Sequence, residues 1–189
     1  MSKKQHRICP WWLGYFLLFP LRRIRENPTR ILKPYIRDGM TVLEPGSGMG
    51  YFTRDMARLV GPAGRVIALD IQPRMLAGLR RRLKRAGLLG RVELRLGRPD
   101  SLGIDDLKEK VDLAVAFHVV HEVPDAKRLF LELFKALKSG SRLLVAEPKH
   151  HVSERDFEDS LRAAREVGFA VEDHPKIGSN VTALLVKPA

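Results

Sequence analysis

Three glycines at alternate positions, Gly46, Gly48 and Gly50, separate an apolar run at 41–43 from an apolar-periodic segment that opens at Tyr51. The pattern predicts a strand, a tight turn and a helix start. Glycine suits the turn because the backbone must bend sharply and approach a ligand with no Cβ in the way. The unpaired N–H groups of a new helix favour a carboxylate or a phosphate. A second apolar run, 65–69, ends in Asp70, where an acid accepts hydrogen bonds from both hydroxyls of a ribose. Together these residues ask for a nucleoside with a charged tail.

Glycine spacing narrows the choice. Dinucleotide folds use Gly-x-Gly-x-x-Gly, whereas this loop reads Glu-x-Gly-x-Gly-x-Gly from Glu44 to Gly50. That pattern resembles the first motif of class I S-adenosylmethionine-dependent methyltransferases, and the resemblance runs from about Thr41 to Lys187. The loop, Asp70, the segment Val-Asp-Leu-Ala-Val-Ala-Phe-His at 111–118 and Leu-Lys-Ser-Gly-Ser-Arg-Leu-Leu-Val at 137–145 follow that family's order. A nicotinamide-dependent dehydrogenase and a non-catalytic fold relative are the competing readings. The spacing opposes the first, and the intact loop with Asp70 opposes the second.

The resemblance implies S-adenosylmethionine as cofactor. Gly46, Gly48 and Gly50 would line its methionine and ribose portions, with Ser47 and Phe117 also in contact. Glu44 would order the loop or reach the amino end through water. Asp70 would bind the ribose, and Ile71 would lie against adenine. Relatives commonly carry Gly-Asp-Ala after the third strand, the Asp meeting the adenine amine. Here Gly97 is followed by Arg98-Pro99-Asp100-Ser101, so that role falls to Asp100 or Ser101. Asp100 also reads as a turn-forming acid.

The acceptor side centres on His118-Val119-Val120-His121-Glu122, leaving the carboxyl end of the fourth predicted strand, where ligands bind in open α/β sheets. This loop resembles the His-rich loop of many small-molecule methyltransferases, which makes His118 and His121 the catalytic candidates. Their alternative is packing. Methyl transfer from a sulfonium is an in-line displacement, so the protein mainly aligns the reactants and excludes water. A base is needed only for an acceptor that starts protonated and is weakly acidic. Glu147 and His150, after the next strand, are candidates to face the same pocket. His118, His121, Glu122, Glu147 and Cys9 raise a metal site, but no tight HExxH or CxxC spacing exists and no metal is expected.

Missing motifs limit the acceptor. No Asp/Asn-Pro-Pro-Tyr/Phe follows the fourth strand, no Pro-Cys pair serves cytosine chemistry, and Cys9 is the one cysteine. A small-molecule acceptor remains, with an RNA or ribosomal-protein methyltransferase as the alternative.

The elements that must hold these residues are legible from Thr41 onward. Strands and helices alternate at short spacing, which predicts an α/β fold with a parallel sheet covered on both faces. The family pattern makes it Rossmann-like, seven-stranded, of order 3-2-1-4-5-7-6 with strand 7 antiparallel. Predicted helices include 51–60, one opening at Pro73 with Leu76, Leu79, Leu83 and Ala86 facing the sheet, 125–138, and one capped by Ser153 and ending at Gly168. Val92, Leu94 and Leu96 alternate as a half-buried strand, and 142–146 is the fifth strand.

The expected organisation is an N-terminal arm, 1–40, and a cofactor-binding domain, 41–189. Asn27-Pro28 reads as a helix cap and first turn. Before it, 9–20 holds Trp11, Trp12 and Tyr15, giving three compatible readings: core completion, a lid and substrate wall, or an interfacial membrane contact. The run at 10–21 is about half of what spans a bilayer. One cysteine, no signal-peptide pattern and an ordinary composition of 44% hydrophobic and 30% charged residues suit a cytoplasmic protein, with membrane-peripheral contact left open.

The net charge of +12 is uneven: +7 over 1–40, +6 over 41–110 and −1 over 111–189. Arg80-Arg81-Arg82-Leu83-Lys84-Arg85 is the densest cluster. It reads as a solvated helix face or as a weak, non-specific contact with nucleic acid or anionic membrane. No aromatic residue interleaves to stack bases. Monomer and homodimer are equally open.

Overall fold

The computed structural model describes residues 26–189. Seven strands form one sheet in the order β3-β2-β1-β4-β5-β7-β6. They are β1 Thr41–Pro45, β2 Arg65–Asp70, β3 Val92–Leu96, β4 Val111–Phe117, β5 Leu137–Pro148, β6 Ala170–Asp173 and β7 Asn180–Val186. The first five pair in parallel, and β7 runs antiparallel to both β5 and β6. The helices are α1 Pro28–Leu32, α2 Thr53–Leu59, α3 Pro73–Arg85, α4 Ala126–Ala136 and α5 Glu154–Val167.

Alternation along the central strands divides the core in two. Leu43, Ile67, Ala114 and Val145 face α4 and α5, packing with Phe130, Leu133 and Leu161. Val42, Val66, Val115 and Leu144 point the other way, onto Leu32 of α1, Met56 of α2 and Leu79 and Leu83 of α3. A strand sandwiched in this way must be apolar at successive positions, as β4 is.

Residues 26–40 pack with the rest. Asn27 caps α1 by accepting from Arg30 N–H at 3.2 Å, and Leu32 and Ile36 are buried. Trp11, Trp12, Tyr15 and Cys9 lie outside the described residues. No helix among the described residues is long and apolar enough to cross a membrane.

Three local expectations are corrected. Ala86 is exposed because α3 ends at Arg85. Leu96 is 59% exposed, as the last residue of β3, a strand at the sheet edge. β5 starts at Leu137, which pairs with Val111 before the register shifts and Leu113 meets Arg142. The bulge absorbs the turn at Gly140, φ +73°.

Candidate active site

The carboxyl ends of β1, β2 and β4 supply the site. After β1 the chain turns through Gly46, Gly48 and Gly50, at φ +70°, +53° and +79°, where a Cβ would be strained. Ser47 N–H donates to Leu69 O at 2.8 Å, tying the loop to the end of β2. Gly48 N–H donates to Asp70 Oδ2 and Gln72 N–H to Oδ1, each at 2.8 Å. Each oxygen keeps acceptor capacity beyond that bond. Asp70 is 8% exposed, and burial raises its carboxyl pKa despite these N–H groups. Ser47 Oγ is buried with no hydrogen-bond partner among the described residues.

Glu44 lies beneath the loop, 5% exposed. Thr53, opening α2, donates its hydroxyl to Glu44 Oε2. Burial pushes the Glu44 carboxyl up to about 8, against the pull of that bond and with help from the Asp70 charge.

The loop after β3 is held from a distance. Glu132 on α4 accepts from Leu102 N–H at 2.7 Å and from Ser101 hydroxyl at 3.3 Å. Asp100 is largely exposed and lies 3.6 Å from Arg98 Nε. Ile71 sits beside Gly97, where an added Cβ would be 3.8 Å from Ile71 Cγ2. A cavity of about 120 Å³ opens between this loop and the one after β4, lined by Asp100, Ser101, Val123, Pro124 and Glu132 among others.

Phe117 ends β4 and meets Phe52 edge to face, ring centroids 4.7 Å apart. His118 follows with φ +57°, uncommon for a residue with a side chain. Its N–H donates to Ala146 O at 2.8 Å, and its Nε2 lies 3.0 Å from Asn180 Oδ1. Val119 presses on the glycine loop: a Cβ on Gly46 would come within 2.8 Å of Val119 Cγ2. Glu147, 1% exposed, accepts from Val119 N–H at 3.0 Å, Val120 N–H at 2.9 Å and His121 Nδ1. Burial favours the neutral His121 ring, but the hydrogen bond and charge of Glu147 outweigh it, so its pKa is raised. His151 stacks on His121 at 5.8 Å, and the exposed His150 ring tilts against His151 at 4.3 Å. Burial and both imidazoles lower the His151 pKa.

A family model described as a methyltransferase domain matches residues 36–185. The chain belongs to that family. Its sequence is 35% identical, over 112 residues, to the ubiquinone/menaquinone biosynthesis C-methyltransferase UbiE of Pasteurella multocida, covering 59% of this chain and 41% of that protein. The aligned stretch thus spans less than half the length of such relatives. Its fold resembles a SAM-dependent methyltransferase from Aquifex aeolicus, with a TM-score of 0.82 at 22% identity over 95% of this chain and 100% of that one. A second methyltransferase structure, from Methanococcus maripaludis and described as S-adenosyl-L-methionine-dependent, superposes with a TM-score of 0.78 at 16% identity, covering 100% and 98%.

In this methyltransferase domain, Glu44, the glycine loop, Asp70, Phe117 and His118 converge at one sheet edge. The half-buried His121 and the buried Glu147 join them as a pair, with His150 at the exposed end of the histidine stack. Among the described residues no group of three or more His, Cys, Asp or Glu is placed to hold a metal ion. Sequence reasoning missed Thr53, Glu132, Asn180 and Glu26. Only Asn180 carried a signal: the expected β5–β7 pairing sets the start of β7 opposite Pro148, one residue past Glu147.

Proposed function

We propose that this protein is an S-adenosylmethionine-dependent methyltransferase acting on a small molecule. The observation that carries the reading is Asp70: a buried carboxylate, fixed by Gly48 and Gln72 N–H groups, with acceptor capacity for two ribose hydroxyls. The bound cofactor supplies an electrophilic methyl group on a sulfonium. The residues fit it. The glycine loop admits close approach, Ser47 Oγ offers a buried hydroxyl, and Ile71 and Phe117 offer apolar surface to a base. Asp100 and Ser101 stand at the adenine edge. Glu44 holds the loop through Thr53.

His118 and His121 are the acceptor-side bases. Glu147 acts through His121 and the loop N–H groups, whereas the exposed His150 serves the rim. Glu26 reaches the His118 side of the site: its carbonyl accepts from Tyr51 hydroxyl at 2.7 Å and its Oε1 from Asn180 Nδ2 at 2.8 Å. Trp11, Trp12 and Tyr15, the residues expected to wall the acceptor, lie outside the described residues. Similarity to relatives named C-methyltransferases of quinone biosynthesis favours an acceptor carbon made nucleophilic by an ionisable neighbour. An RNA acceptor is the second reading, favoured by an open groove of about 300 Å³ lined by Arg54, Arg82 and Arg85.

Titration calorimetry tests the assignment. S-adenosylmethionine should bind, and Asp70→Ala should weaken it at least about a hundredfold, since two hydrogen bonds to a charged group contribute about 3 kcal/mol or more. Tight NAD binding with no response to S-adenosylmethionine would refute it. Sequence-selective nanomolar RNA binding would favour the second reading.

A further inference from the structure

We propose that Asn180 is a positioning residue that locks His118 into one tautomer, with the proton on Nε2 and the lone pair on Nδ1, and that Glu26 in turn locks Asn180. The amide of Asn180 has its orientation dictated by its neighbours. Its Nδ2 donates to Glu26 Oε1 at 2.8 Å and to Ile177 O at 3.0 Å. A carboxylate and a carbonyl accept only, so the NH2 end must face them. The amide oxygen therefore faces His118 Nε2, 3.0 Å away. An amide oxygen carries no hydrogen, so Nε2 must supply it. A neutral imidazole has one N–H, which leaves Nδ1 as the nitrogen able to take a proton.

The backbone cooperates. His118 sits at φ +57° with its N–H on Ala146 O, so the ring is fixed at its root as well as at Nε2. Strained non-glycine backbone persists only where its surroundings over-determine it, and such positions gather at functional sites. Three parts of the chain thus meet in one relay: Glu26, just after the N-terminal segment, Asn180 at the start of β7, and His118 at the end of β4. That Nδ1 serves as an acceptor-side base rests on the methyltransferase reading, whereas the tautomer does not.

The test is nitrogen-15 NMR of the full chain carrying labelled histidine, recorded above the imidazole titration range. The His118 resonances are assigned by their loss in His118→Gln. Wild type should give the Nε2–H pattern alone. Asn180→Ala should move both ring nitrogens to the averaged shifts of a two-tautomer mixture. Should Asn180→Ala fail to fold, Glu26→Ala serves: it frees the amide to turn and should move the shifts part of the way. Glu26→Gln keeps an accepting oxygen and should retain the wild-type pattern. An Nδ1–H pattern in wild type, or unchanged shifts in folded Asn180→Ala or Glu26→Ala, would overturn the proposal. Absent S-adenosylmethionine binding beside an intact Nε2–H pattern would instead sink the functional reading and leave this one standing.

Discussion

Stability at this site falls with rising pH through two different groups, the Glu44 carboxyl and the His121 ring held by Glu147. Glu44 keeps its proton in the folded protein up to about pH 8, against an ordinary value of 4.5. Between those values the folded state binds more protons than the unfolded one, so stability falls as pH rises. The contribution is whole below about 4.5 and lost as pH passes about 8. Glu44→Gln keeps an acceptor for Thr53 without the charge. Urea denaturation should find variant and wild type similar at pH 5, and the variant more stable by a few kcal/mol at pH 9, on the order set by the pKa shift. Glu147 pairs instead with His121, whose pKa is raised. Stability from that pair is full below the ordinary histidine value of 6.5 and fades as pH rises through the raised one. Glu147→Ala strands Val119 and Val120 N–H groups and removes the counter-charge. It should destabilise by about 3–5 kcal/mol, most at pH 6 and less at pH 9, again by urea melts.

At the scale of elements, the glycines of one loop do different work. A Cβ on Gly50 would sit 2.2 Å from Leu79 Cδ1 of α3, while one on Gly48 would meet nothing within 4 Å. Gly50→Ala should therefore lower the melting temperature well beyond Gly48→Ala, which bears only the left-handed backbone penalty of about 1–2 kcal/mol. Calorimetric scans of both variants check this. The glycines themselves were legible in the sequence, because a tight turn demands them, but Leu79 as Gly50's neighbour was not. Caps were legible for the same local reason. Asn27 and Ser153 each accept from an N–H three residues on, and Gly168 closes α5 in the left-handed region, whereas Asp125, expected as the first residue of its helix, caps α4 in the same way. Strand order followed from the resemblance. What stayed hidden depends on partners far along the chain. Glu132 reaches the loop after β3 from α4, and Asn180 joins Glu26 across 154 residues. Neither pairing leaves a periodicity or spacing to read. Asp100 could be noticed as an acid in the right loop, yet its exposure follows from how that loop is pinned by Ser101 and Leu102.

At the scale of the whole molecule, the densest run of basic residues lies on α3, with Arg80, Arg81, Arg82, Lys84 and Arg85, and its groove reaches back to the glycine loop where Arg82 donates to Met49 O. The sheet itself ends on both sides in short strands whose charges are already engaged. In β3, Arg95 grips Asp106 with two bonds of 2.7 Å and Glu93 with a third. In β6, Glu172 takes both bonds of Arg142, each at 2.6 Å, and Asp173 follows. An unpaired strand margin is a template for another chain, and charge on it discourages that pairing. The expected consequence is colloidal: charge on these margins should limit how readily sheets join edge to edge as the protein is concentrated. Replacing Glu172 and Asp173 together by valine should leave the fold intact while light scattering records a mass that climbs with concentration far faster than for wild type. Equal scattering from the two proteins would mean that the margin is protected by its shortness alone.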